Sequence, residues 1–351
     1  MENQSAQTLP RRQKNDVLNL FKGLACISVV FVHVHFPGIT GIVVHRSFSS
    51  FAVPLFLMIA GYFAFGKDET VIKRRLFKIL KILIWSYAVF LVLHILFKIP
   101  QGAVVEWLSL NFDYTTPIKY IVFCTIDFAI PLWYLIAMVE TYFVWYFLVK
   151  HKKEHCVMFA IPFLFVFKVV LTTYCETMRV PWMFKMNFLT EAMPFFLFGY
   201  YLRSKEDFFK SIPYTVLLLT MFAGCAFAAC NVAFDAPVKM FSLGTLFYSL
   251  AVFVIAIKIP NKTYCRPLEY IGDKLSLNVY IFHPIIGLVM LRLCQSLFGI
   301  NLQAGLLGWL RPFAVVVLSI VVAQILECLN SRKLFTLTRA DKGGLFRRPI
   351  T

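Results

Sequence analysis

Charge is what this chain has little of. Only 15% of its 351 residues are Asp, Glu, Lys or Arg, against about 25% in soluble domains. The acidic side chains are the scarcer kind, 18 against 35 basic ones. A soluble domain with a solvated charged surface is thereby excluded. Metal-ligand patterning is also missing. The nine cysteines are dispersed, with no C-x-x-C pair and no His/Cys cluster at ligand spacing, so no metal site is expected and the thiols read as apolar fillers. The first apolar stretch lacks a small-x-small cleavage site, so it is expected to stay as an anchor and not to leave as a signal peptide. There is no internal repeat, low-complexity tract or linker long enough to part off a second domain.

What is there is apolar surface. Hydrophobic residues make up 60% of the chain, and Phe alone occurs 38 times. About 20 apolar residues cross a bilayer as a helix. That ruler gives ten candidates, near 17–37, 48–66, 79–98, 131–149, 156–174, 188–202, 212–231, 241–258, 275–298 and 306–329. The expected fold is therefore an all-α integral membrane bundle of about ten transmembrane helices, residues 17–329. A polar N-terminal segment, 1–16, precedes it and a basic tail, 330–351, follows it. The stretch 117–130 is too short to cross and should lie at the outer interface or enter as a half-helix.

Lysine and arginine set the orientation. Segments 1–22, 67–81, 150–155, 203–210, 258–274 and 331–351 hold 26 of the 35 basic residues. The positive-inside rule puts all of them, both termini included, in the cytoplasm, as expected of a multi-pass plasma (inner) membrane protein. The net charge of +17 then needs no nucleic acid. Membrane lipids, whose anionic headgroups attract basic loops, are the expected partner.

Polar residues inside the apolar runs are expensive there and mark candidate sites. Lys22 and His33, in FKGLACISVVFVHVHF, are eleven helical steps apart, which returns them to nearly one face about 16 Å apart along the axis. Both are expected to look into one cavity. A neutral imidazole suits His33 to act as general base or as covalent carrier of a transferred group through its Nε2, and its other reading is a hydrogen bond to a neighbouring helix. Glu140 lies near the middle of the fourth run, two turns from Trp133 on the same face. It either orients His33 or Lys22, or makes a structural hydrogen bond to another helix. In the ninth run Ser276, Tyr280 and His283 form one polar face, with Pro284 expected to kink the helix and free a carbonyl beside the imidazole. His283 reads as a packing histidine or as a second catalytic or acceptor-binding residue. Trp133 reads as packing or as cavity lining.

Six stretches in order, K22-G-L-A-C-I-S-V-V-F-V-H33, SSFAVPLFLMIAGYF at 49–63, KRRLFKILK at 73–81, PLWYLIAM at 131–138, PFFLFGYYLR at 194–203 and SLNVYIFHPII at 276–286, give the chain a resemblance. It resembles the membrane-bound acyltransferase-3 family, whose members include O-acetyltransferases of bacterial surface polysaccharides, lipid-linked glycans and peptidoglycan. The resemblance runs over almost the whole chain. It implies ten spans, acetyl-CoA or another acyl-CoA as donor on the cytoplasmic side, and a cell-envelope glycan or lipid-linked sugar as acceptor. The family's R/K-x10-H motif falls on Lys22 and His33, and its R-x-x-R pair on Arg75 and Lys78. Lysine at the second of those positions replaces a bidentate guanidinium by a point charge. Two further departures are Ala60 where a serine is frequent and Asn19 where an aspartate is frequent.

A basic run such as Lys73–Lys81 reads by itself as a lipid-facing orientation signal. The phosphates of coenzyme A need several cations, however, and with the resemblance in hand Arg74, Arg75 and Lys78 are expected to bind the donor. With only 22 residues following Leu329, the extracytoplasmic esterase-like domain fused to some relatives in that family is expected to be absent. The competing reading is a transporter or flippase of a small solute or lipid-linked sugar, using the same polar residues as a relay. Paired halves with interrupted helices at matching positions, its usual sign, are not found. A membrane-embedded partner with no chemistry of its own is the third reading.

Overall fold

A computed structural model describes residues 15–233 and 241–331. Most of the expected N-terminal segment 1–16 and of the basic tail 330–351 lies outside the described residues. Among those described there is no strand, and ten helices reach eleven residues or more. They are α1 (Asp16–His33), α2 (Ala52–Tyr62), α3 (Glu69–Lys98), α4 (Trp133–Lys150), α5 (Ala160–Thr177), α6 (Met193–Ser204), α7 (Tyr214–Ala233), α8 (Phe241–Lys258), α9 (Ser276–Phe298) and α10 (Gly305–Ser331). The all-helical expectation is met.

Six helical segments are both long and apolar enough to cross a membrane: Asp16–His33, Glu69–Gln101, Ile130–Lys150, Glu154–Thr177, Arg266–Phe298 and Gly305–Leu329. The other four expected ranges carry helices that are shorter or less uniformly apolar. The 48–66 range narrows to α2 because a π-turn, Val44–Phe48, precedes it. The 188–202 range is split between a π-turn, Phe188–Ala192, and α6. Large apolar side chains stand on the outside of the bundle, among them Phe163 (75% exposed) and Leu219 (69% exposed). Apolar surface of that extent on long apolar helices is stable only in lipid; this is a membrane protein.

Local chemistry sets the helix ends. The side chain of Asn15 accepts from the Leu18 amide at the start of α1, and that of Asp68 accepts from the Val71 amide at the start of α3. Each satisfies a donor that the first helical turn leaves free. Gly299, at φ 64°, closes α9 in the left-handed conformation, which costs a side-chain-free residue nothing.

Helix α1 is central, packing on α2, α8, α9, α10 and the segment 266–275. Its Gly23 meets the Leu268 backbone. The α2–α6 crossing is closer still. A Cβ on Gly61 would lie 1.8 Å from the Phe196 carbonyl oxygen, and one on Gly199 would lie 2.0 Å from that of Met58. Small residues are the means by which apolar helices gain van der Waals contact in a medium as apolar as themselves.

The connections sort into two ends. One end gathers the start of α1, the α2–α3 turn and the loops 203–213 and 259–265, held by Asp16 N–H to Asn261 and by Lys258 Nζ to the Lys210 and Ile212 carbonyls. This is the basic end. The opposite end gathers the residues after His33, the loop 99–132 and the α9–α10 connection. There the stretch expected to lie at the outer interface or to enter as a half-helix holds a short helix, Thr116–Phe123, capped by Cys124 at φ 52°. Residues 124–126 after it are buried without helical structure, a backbone tolerated at depth only against protein or a cavity.

Candidate active site

Helix α9 brings a second imidazole to His33. His283, completely buried, sets its ring 5.1 Å from that of His33. Pro284 has no amide proton, so the Tyr280 carbonyl one turn earlier loses its helical donor, and the His283 ring interacts with the backbone there. Its Nδ1 lies 3.0 Å from the Val279 carbonyl oxygen. A carbonyl only accepts, so Nδ1 carries the hydrogen, and in the neutral ring Nε2 is left with a bare lone pair. That Nε2 is buried and has no hydrogen-bond partner. A buried, unsatisfied acceptor costs about 1–3 kcal/mol, and such sites ask for a ligand or a function.

His33, the last residue of α1, opens onto a cavity of about 400 Å³ at the end opposite the basic one. It is exposed to that cavity although protein surrounds it on a wider scale. The wall includes Phe90 and His94 of α3, Asp127, Phe128 and Pro131 of the loop before α4, Pro284 and Gly287 of α9, Gln303, and Arg311 of α10. His94 repeats the arrangement of His283, with Nδ1 2.9 Å from the Phe90 carbonyl oxygen and its ring stacked 5.7 Å from Trp107. Beyond His33 the chain folds back so that His35 Nε2 and His45 Nδ1 both reach the Val32 carbonyl, at 2.7 and 2.8 Å, with their rings 4.7 Å apart. Among the described residues no group of His, Cys, Asp and Glu is arranged to hold a metal.

Tyr280 and Trp133 stand beside the imidazoles. The Tyr280 hydroxyl donates to the Pro131 carbonyl, and its ring lies 5.3 Å from Tyr134 and 6.2 Å from His283. Trp133 is buried against Tyr134 at 6.4 Å. Glu140 is elsewhere, accepting from Cys124 Sγ at 3.2 Å, so it braces the half-helix turn. Ser276 is also spent locally, its hydroxyl donating to the Gly272 carbonyl at 3.0 Å. Lys22 lies eleven residues from His33 on α1, half-buried near Cys26. It is not in the wall of the His33 cavity, because the residues between carry it towards the basic end.

At the basic end, Arg75 is half-buried. Its Nη1 donates to the Phe63 carbonyl at 3.0 Å, and the guanidinium also meets the Tyr142 hydroxyl. Arg74 and Lys78 are exposed on the same helix. A second cavity, about 580 Å³, opens nearby between the α2–α3 turn and α4, with Lys67, Lys150 and Lys152 in its wall alongside Asp68, Glu69, Glu154 and Trp145. Close by, the Tyr62 hydroxyl donates to Glu206 at 2.7 Å and accepts from Arg203 at 2.9 Å, while Arg203 and Lys210 both pair with Glu206. The apolar hydropathy of α2 gives no hint of that network. Arg311 by contrast carries the standard signal, a cation inside an apolar run.

The bundle thus sets a pair of imidazoles at one end, His33 in the cavity wall and His283 buried behind it, and basic groups at the other. Residues 15–328 match the acyltransferase-3 family model, described as an acyltransferase domain; the chain belongs to that family and is a membrane acyltransferase. No curated protein and no solved structure matches it at a significant level.

Proposed function

We propose that this protein is an acyl-CoA-dependent O-acyltransferase, with acetyl the expected acyl group. Its acceptor is a hydroxyl of a surface polysaccharide, a lipid-linked glycan or a related cell-envelope sugar. It is read as a ten-span plasma-membrane protein, 17–329, with the segments 1–16 and 330–351 both cytoplasmic. The juxtaposition of His33 and His283 carries this reading. A hydroxyl entering the cavity meets the His33 imidazole in the wall, with the buried His283 ring directly behind it at 5.1 Å. Deprotonation of that hydroxyl as it attacks the thioester carbonyl forms the ester and expels the coenzyme thiolate, which regains a proton. Arg75, with Arg74 and Lys78, supplies cations for the coenzyme phosphates at the basic end, and the lysines of the neighbouring cavity add to that field. Lys22, between the two, accompanies the acyl-bearing arm. Glu140 acts as a positioning residue through the half-helix turn. Tyr280 and Trp133 shape the acceptor wall, and Ser276 supports α9 beneath them.

The test is labelled acetyl incorporation into envelope glycan by membranes holding matched amounts of wild type and His33→Ala. Loss of proton transfer lowers a rate by about 10²–10⁴-fold, so the variant should be inserted, abundant and nearly silent. Substantial transfer by His33→Ala sinks the assignment of this residue. Solute movement with no acylation by the wild type sinks the enzyme reading in favour of a transporter.

A further inference from the structure

We propose that Arg311 is an anion-recognition residue of the His33 cavity, and that the acceptor presented there carries a carboxylate or phosphate close to the hydroxyl it offers. This rests on the reading of that cavity as the acceptor site. Arg311 is the seventh residue of α10, in the otherwise apolar run GLLGWLRPFAVVV, where a guanidinium is costly and marks a function. Its Nη2 donates to the His35 carbonyl at 3.2 Å, which anchors the group in the wall beside His33. Its Nε is buried and has no partner.

No carboxylate among the described residues pairs with it. The acid in the same wall, Asp127, is instead within 3.4 Å of Lys119 Nζ. Arg292, farther along α9, lies over the Phe97 ring at 5.2 Å and is not in the wall. The imidazole of His94 in the wall, its Nδ1 hydrogen given to a carbonyl, brings a lone pair and no compensating negative charge. Among the described residues the wall therefore holds one lysine or arginine, Arg311, whose remaining N–H groups fit an oxyanion, and a planar guanidinium can take a carboxylate or phosphate in two parallel bonds.

The experiment uses the full chain in lipid nanodiscs, without acyl donor. Titration calorimetry measures binding of methyl β-glucuronide, glucose 1-phosphate and methyl β-glucoside. At least one anionic sugar should bind about 10- to 100-fold more tightly than the neutral one, the size of one charge-assisted contact. Which anion gains tells a uronic acid from a sugar phosphate. Arg311→Gln should bring the anions to the level of the glucoside, and Arg311→Lys should keep part of the preference. Equal binding of the three sugars by the wild type, no binding of either anion, or a preference that survives Arg311→Gln overturns the proposal. If Arg311→Gln does not fold, the wild-type comparison and Arg311→Lys still decide. Because no donor is present, an anion preference without acyl transfer in the separate assay rejects the enzyme reading alone. Acyl transfer without anion preference rejects this proposal alone.

Discussion

At the scale of single residues, the two histidines make one unit, and their variants should behave as one. His283→Ala is expected to lower acyl transfer by about 10²–10⁴-fold, and the His33→Ala/His283→Ala double variant should be little worse than the poorer single one. Acetyl incorporation at matched abundance checks both; multiplicative losses would show two independent roles. At the other end, Arg75→Ala and Lys78→Ala should raise the apparent donor KM by about 10-fold or more, with kcat less affected, as expected when a charge-assisted phosphate contact is lost. A fall in abundance with unchanged KM would leave those residues as topology anchors. His33 was legible because it combines a cost in lipid with a family motif. The partnership with His283 was not, since it joins residues 250 positions apart on helices whose mutual rotation no local pattern fixes. Ser276, singled out by spacing, and Glu140, singled out by its cost in an apolar run, are both satisfied by neighbours, Gly272 and Cys124. Periodicity assigns a face and leaves the partner open.

At the scale of elements, the α2–α6 crossing is the tightest constraint. Gly61→Ala or Gly199→Ala places a methyl within about 2 Å of a carbonyl oxygen, a clash that only separation of the helices relieves. Either should lower the thermal midpoint in detergent by several degrees, since overpacking costs about 1–3 kcal/mol. An unchanged midpoint would mean that the crossing is looser than described. The same two helices are tied at the basic end by Tyr62, Arg203 and Glu206. Burial pushes the Glu206 carboxyl up, but Lys210, Tyr62 and Arg203 outweigh it and hold the group below its ordinary value. A depressed carboxylate stabilises the fold above its unfolded value, about pH 4.3, and that stability is lost as pH falls through the folded value. Glu206→Gln should therefore cost stability at pH 7 and flatten the decline on acidification, read as midpoint against pH. Helix existence was legible from apolar length. Helix ends were less so: the 17–37 run stops at His33 ahead of Pro37, and the π-turns at 44–48 and 188–192 shorten their helices. Such turns depend on packing against neighbours and leave little trace in hydropathy.

At the scale of the whole molecule, the loops gathered at the basic end should face one compartment. Cysteine labelling at Ser5, Ser204 and Thr338 is expected to give the same cytoplasmic signal at all three. An external signal at Ser204 would break the ten-span topology. The separation of the two ends has an electrical side as well. Lys22 and His33 are about 16 Å apart along α1, roughly half of a ~30 Å hydrocarbon core. For the hydroxyl to attack, the thioester has to reach the imidazoles, so the thiolate forms there and regains the proton there. The coenzyme phosphates stay at the basic end and no net charge crosses that part of the field. The rate in sealed vesicles should therefore stay unchanged when an ionophore collapses the membrane potential, which would make envelope modification a process independent of the energetic state of the cell.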